Sequence, residues 1–157
     1  MKIYLAAPYA TRPQVKARAT ELTRIGYTVT SRWLNEKHAV NDATVGAAPA
    51  LTDQQAAGAA AGDLIDIKSA DLLVVFTPRA LGYPRDCGNS GGRHVETGYA
   101  LALGKPVLLV GDPENIFHRC GSKVDVVPDW HQALIELAAR LVENRRRRTV
   151  VEGGASE

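Results

Sequence analysis

Leu72-Leu73-Val74-Val75-Phe76, then Ser90-Gly91-Gly92-Arg93-His94-Val95-Glu96-Thr97-Gly98-Tyr99-Ala100, then Pro106-Val107-Leu108-Leu109-Val110: these stretches decide the fold. Two apolar runs of strand length flank a Gly-rich segment that opens a short helix. A helix between two buried strands marks a parallel β-α-β unit. The order puts Glu96 in the first turn of that helix, at the mouth of the sheet beyond the carboxyl ends of the strands, where open α/β sheets take their ligands. A carboxylate there has two readings: a working group of the site, or an ordinary first-turn acid favoured by the helix dipole.

The same alternation extends outward from this unit. Residues 3–6 read as a buried strand. Thr11 N-caps a helix with Val15, Ala19, Leu22 and Ile25 at near-helical spacing, closed by Gly26. Residues 27–30 read as a second strand that leads into Ser31-Arg32-Trp33-Leu34. The Ala/Gly-rich stretch 39–50 has no period, and is either a mobile loop over the site or an insertion with little order. Thr52 and Gln55 have capping-box spacing at the start of a helix ending near Ser69. Residues 77–90 hold four Gly or Pro and read as a loop. The Glu96 helix runs to about Leu103, with Gly104 as its stop. A fifth strand at 124–127 precedes a last helix carrying Leu134, Leu137, Ala138 and Leu141. The pattern predicts an α/β fold in a single domain, 1–143, with a five-stranded parallel sheet and helices on both faces, flavodoxin-like or Rossmann-like. A basic tail, 144–157, is expected to be disordered.

Composition narrows the function. The chain has 157 residues and 45% hydrophobic composition, enough to bury a core without disulfides or metal. No run approaches the roughly 20 apolar residues of a membrane span. Met1-Lys2 leads directly into an apolar strand with no signal-peptide layout, so a cytoplasmic location is expected. Cys87 and Cys120 lack paired-ligand spacing and read as reduced thiols. The net charge of +2 comes entirely from the tail, where Arg145-Arg146-Arg147-Arg148 outweighs Glu152 and Glu157. The neutral body carries no basic stripe for a nucleic-acid polymer. The phosphate loop Gly-x-x-x-x-Gly-Lys-Ser/Thr is absent, and Ala6-Ala7-Pro8-Tyr9 follows the first strand where a dinucleotide fold would place Gly-x-Gly-x-x-Gly. His38, His94, His118 and His131 lie in separate elements without ligand spacing, so no metal is expected.

Ile3-Tyr4-Leu5-Ala6, Asp63-Leu64-Ile65-Asp66-Ile67-Lys68-Ser69-Ala70-Asp71 and Glu96-Thr97-Gly98-Tyr99-Ala100-Leu101-Ala102-Leu103-Gly104-Lys105-Pro106-Val107 together resemble the nucleoside 2-deoxyribosyltransferase superfamily. That superfamily includes the nucleoside 5'-monophosphate N-glycosidases, and the resemblance covers roughly residues 1–118. It implies that Glu96 is the nucleophile at the anomeric carbon of a sugar. It implies that Asp63 faces the nucleobase and assists its protonation, and that Tyr4 orients the Glu96 carboxylate. It implies further that Asn115 and Phe117 lie in a loop reaching the neighbouring subunit's site, hence a homodimer with composite sites. Breaking a C1'–N bond develops positive charge on the sugar and negative charge on the base, so a carboxylate and a proton donor suffice without cofactor.

Six residues before the nucleophile the transferases typically carry an aspartate and the monophosphate glycosidases a serine; this chain has Ser90. A serine hydroxyl beside the backbone amides of Gly91 and Gly92 at a helix N-terminus suits a 5'-phosphate. Arg93 either adds charge there or points to solvent, and Trp33 and Tyr9 are candidates to shape the base pocket. The implied activity is hydrolysis of the N-glycosidic bond of a (2'-deoxy)nucleoside 5'-monophosphate to free base and sugar 5-phosphate. Base exchange by a nucleoside 2-deoxyribosyltransferase is the alternative within the superfamily. A nucleotide-binding module without turnover, with Glu96 only a cap, is the alternative outside it. In each case the partner is a small nucleotide or nucleoside, with neither membrane nor nucleic-acid polymer.

Overall fold

The computed structural model describes residues 1–36, 51–84 and 91–153. Its elements in chain order are β1 (Lys2–Ala6), α1 (Arg12–Ile25), β2 (Thr28–Val29), α2 (Asp53–Ser69), β3 (Leu72–Phe76), α3 (Gly92–Ala102), β4 (Val107–Val110), β5 (Val124–Val127) and α4 (Trp130–Gly153). The five strands are all parallel in the order β2-β1-β3-β4-β5, the flavodoxin-like of the two expected arrangements. β1, β3 and β4 are central, and their side chains, apart from Lys2, are buried. This is why they read as unbroken apolar runs without alternation. α2 and α3 pack side by side on one face. α1 and α4 share the other, where Trp130 Nε1 donates to Glu21 Oε2 at 2.6 Å and the Tyr27 hydroxyl donates to the Leu137 carbonyl at 2.9 Å.

The helix signals act locally. Thr52 Oγ1 accepts from the Gln55 amide at 3.3 Å, and Gln55 Oε1 accepts from the Thr52 amide at 2.9 Å, so the capping box of α2 is formed at both ends. At the end of α1, Gly26 takes φ +110°, a left-handed stop.

Three elements differ from their sequence reading. β2 is only two residues long, paired as Lys2↔Thr28 and Ile3↔Val29. Beyond that register the chain turns into a 3-10 segment, Arg32–Asn35. The next backbone groups of β1 are satisfied by side chains: the Leu5 amide donates to Ser31 Oγ at 2.6 Å, and Trp33 Nε1 donates to the Leu5 carbonyl at 2.8 Å. Second, the basic run at 145–148, expected to be disordered, continues α4 as helix to Gly153. Arginine is a good helix former, and Arg147 Nε pairs with Glu143 Oε1 four residues earlier at 2.8 Å, relieving part of the like-charge repulsion.

The third difference concerns α3. Gly91, at φ +78°, is its N-cap, and the helix begins at Gly92. Glu96 therefore opens the second turn, beyond the amides where the dipole acts most strongly, and the first turn holds no acid. The plain first-turn-acid reading loses its basis.

Candidate active site

Tyr4 lies in the middle of β1 with no exposure, and its side chain reaches toward the α2–α3 face. Its hydroxyl donates to Glu96 Oε1 at 2.5 Å, joining positions 92 residues apart. Asp63 on α2 stands close enough to both to act on each electrostatically. One strand and two helices thus bring a phenol and two carboxylates together.

Their surroundings set their protonation. Glu96 as a residue is half-buried, but its carboxylate is the inward end, bonded to a phenol that no solvent reaches. Burial pushes its pKa up to about 7; the Tyr4 hydrogen bond opposes the rise, the Asp63 charge adds to it, and Arg93 opposes it. Burial likewise raises Asp63, to about 6, aided by the charge of Glu36 and opposed by Tyr4. Burial and the two carboxylates drive the Tyr4 phenol far above its ordinary range, so it stays protonated and acts as a donor. Two acids titrating this close share one proton near pH 6 to 7. The Tyr4 hydroxyl donates to Glu96 and favours its ionised form, yet burial leaves Glu96 the weaker acid of the two, so the form with Glu96 ionised and Asp63 protonated is the less populated one. Among the described residues, Asp63 Oδ1 is buried with no hydrogen-bond partner.

Tyr9 and Trp33 stand together beyond the end of β1, ring centroids 6.2 Å apart and planes at 43°. Trp33 is held by its indole bond to Leu5, and Tyr9 by Arg12, whose guanidinium lies 4.8 Å over the ring and donates to the hydroxyl at 2.5 Å. Arg12 also donates to the Glu36 carbonyl, which anchors the chain where the described segment ends. At the start of α3, a Cβ placed on Gly91 or Gly92 would meet nothing among the described residues within 4 Å. Ser90, the stretch 39–50, Cys87 and His38 lie outside the described residues.

Arg93 is buried and turned away from solvent. Its guanidinium grips Glu114 through Nε at 3.1 Å and Nη2 at 2.8 and 2.9 Å. Asn115 caps the 3-10 turn Ile116–Arg119, its Oδ1 accepting from the amides of Phe117 at 2.9 Å and His118 at 3.2 Å. Phe117 stands 60% exposed. Sequence reasoning missed Glu114, Ser31, Arg12 and Glu36. Only the Tyr9–Arg12 pair carried a local signal, its spacing of three; the others find their partners only through the fold. Among the described residues, no group of three or more His, Cys, Asp or Glu side chains gathers as a metal ion would require, and no helix is long and apolar enough to cross a membrane.

The same fold occurs in a 2-deoxyribosyltransferase from the psychrotolerant bacterium Bacillus psychrosaccharolyticus, which is 24% identical over 85% of this chain and 90% of that one, with a TM-score of 0.61. It also occurs in a conserved protein from Enterococcus faecalis, 19% identical over 89% of this chain and 98% of that one, TM-score 0.50. A CMP N-glycosidase from Clostridium botulinum matches more loosely, 20% identical over 83% and 89% of the two chains with a TM-score of 0.48. No family model and no curated protein matches the sequence. The fold that the sequence resemblance implies is the fold this chain has.

Proposed function

We propose that the protein is a hydrolase that cleaves the N-glycosidic bond of a (2'-deoxy)nucleoside 5'-monophosphate. The observation that carries this reading is the Tyr4–Glu96 bond of 2.5 Å beside a second carboxylate, Asp63, with a raised pKa. The ionised Glu96 carboxylate attacks C1', and the C1'–N electron pair leaves with the base. Asp63 delivers its proton to the departing base nitrogen. Water then attacks C1' of the glycosyl ester, releasing Glu96 as carboxylate, while Asp63 takes the water proton and is restored. Tyr4 holds the Glu96 lone pairs in one direction through both steps.

The two glycines at the N-terminus of α3, Gly91 and Gly92, support a phosphate seat at their backbone amides, with Ser90 supplying a hydroxyl. Tyr9 and Trp33 form an aromatic wall for the base. Ile116 at 77%, Phe117 at 60%, Val95 at 68% and Ile65 at 60% exposure favour a homodimer, in which the turn bearing Asn115 and Phe117 completes the neighbouring site. The protein acts on small nucleotides in the cytoplasm without a cofactor.

The test is a panel of nucleosides and their 5'-monophosphates with products separated by chromatography. Base release from monophosphates is expected. Release from nucleosides alone would remove the phosphate reading, and formation of a new nucleoside with an added free base would establish a transferase. Tight binding without any turnover would leave a nucleotide-binding module.

A further inference from the structure

Tyr9 and Trp33 come from different turns, and only Trp33 is fixed by groups of the central fold. It follows Arg32, whose amide and Nε each donate to Asp66 Oδ2 at 2.9 Å and whose Nη2 donates to Asp66 Oδ1 at 2.8 Å. Asp66 stands three residues after Asp63 on α2, on a neighbouring part of the same helix face. A Cβ added to Gly62 would lie 3.0 Å from Arg32 Cδ, so the arginine rests directly on the helix at the residue before Asp63. With its indole donating to the Leu5 carbonyl, Trp33 is tied to α2 on one side and to the strand residue after Tyr4 on the other.

Tyr9 has no such anchorage. It opens the 3-10 turn Tyr9–Thr11 and is half-buried. Among the described residues its hydroxyl has one hydrogen-bond partner, Arg12 Nη1, and the same guanidinium lies over its ring. That nitrogen also donates to the Glu36 carbonyl, 24 positions away and just past the 3-10 segment that carries Trp33. Arg12 is the first residue of α1, where the helix dipole disfavours a cation, and no acid in the first turn offsets it. The charge is instead satisfied by a phenol, a ring face and a carbonyl. The two rings so joined are at aromatic contact distance and tilted to each other, so they meet edge to face and leave no slot between them.

We propose that Arg12 is a positioning residue for the base-binding side of the site: by joining the Tyr9 hydroxyl to the Glu36 carbonyl it holds Tyr9 against the fixed Trp33 ring as one preformed wall for a flat heteroaromatic base. The proposal rests on the reading of Tyr9 and Trp33 as the base wall, but the latch is measurable in the substrate-free protein.

The experiment uses the full chain labelled with 5-fluorotryptophan, whose two tryptophans, Trp33 and Trp130, give two fluorine signals assigned with Trp33→Phe. Trp130 is the internal control, because it touches Glu21 and Arg18 further along α1 and reports any general disturbance of that helix. Arg12→Met and Tyr9→Phe should each move the Trp33 signal in the same direction and leave that of Trp130 in place. The double variant should move it no further than Arg12→Met alone, since both changes break one latch. A Trp33 signal that stays put, or a Trp130 signal that moves with it, overturns the proposal. If Arg12→Met does not fold, Tyr9→Phe, which removes a single oxygen, carries the same test. In turnover, Arg12→Met should raise KM on the order of tenfold and change kcat less, because a wall that must be ordered by the substrate costs binding and not chemistry. A rise confined to monophosphates and independent of Tyr9→Phe would make Arg12 a phosphate ligand and overturn the latch. Absence of turnover on every nucleotide would remove the proposed reaction and leave the fluorine signals to decide the latch.

Discussion

A carboxylate that is to attack carbon must be ionised, yet burial holds Glu96 near pH 7. The folded state therefore binds a proton that the unfolded chain, at the ordinary pKa of 4.5, has already lost. The resulting penalty on folding grows as pH rises through 4.5 and is complete above 7. Glu96→Gln removes it. At pH 8 that variant should be more stable than the wild type by about 1 to 3 kcal/mol, after allowing for partial solvent contact, and the difference should vanish near pH 4. Thermal melts at the two pH values check this, and the same variant should lose at least about three orders of magnitude in turnover. Tyr4→Phe keeps the packing of a fully buried ring but deletes the donor to Glu96. Rate should fall by about one to two orders of magnitude, and the acid limb of kcat/KM should move to higher pH because the ionised form has lost its hydrogen bond. In the wild type the profile should be a narrow bell with its optimum between pH 6 and 7, since one carboxyl must be ionised and the other protonated. A flat profile across that range would contradict the shared-proton arrangement.

The loop between β4 and the turn bearing Asn115 is aimed by Gly111. It sits at φ +101°, and an added Cβ would run into Thr77 Oγ1 and lie 3.0 Å from the Ala80 Cβ. Thr77 Oγ1 is itself turned toward the Val110 carbonyl at 3.3 Å, so it has little freedom to yield. Gly111→Ala should therefore destabilise the protein by about 2 to 4 kcal/mol and lower Tm by roughly 5 to 15 °C. Because Glu114 leaves the same loop to reach Arg93, the loss should extend to activity. Activity measured well below the new Tm separates the two effects.

At the scale of the whole molecule, the exposed pair Ile116 and Phe117 sits on a turn whose backbone is capped internally by Asn115. A surface substitution there leaves the fold of one chain nearly untouched, within about 0.5 kcal/mol. Phe117→Asp should thus keep the monomer's thermal stability but disrupt association. Sedimentation should show the wild type at twice the chain mass of 16.9 kDa and the variant as single chains with reduced turnover. Wild-type protein that sediments as single chains would remove the composite site.

The apolar runs at 72–76 and 107–110 determined a parallel sheet by themselves, because strands buried on both faces need no alternation and allow few other packings. The capping box at Thr52 and Gln55 and the stop at Gly26 were equally local, since each satisfies backbone groups within one turn of itself. Glu96, Tyr4 and Asp63 were legible through the motifs that carry the resemblance. Only the tertiary structure decided the rest. Gly91 took the left-handed cap that moved Glu96 into the second turn. The two-residue β2 followed from Ser31 and Trp33 satisfying Leu5 across the sheet edge. The Arg93–Glu114 pair, 21 residues apart, exists because α3 and the loop after β4 meet at the same end of the sheet. The physical reason is common to all three. Periodicity and capping record free energies within a few residues, whereas the partner of a buried charge and the proton of a shared site depend on which distant groups the fold brings together.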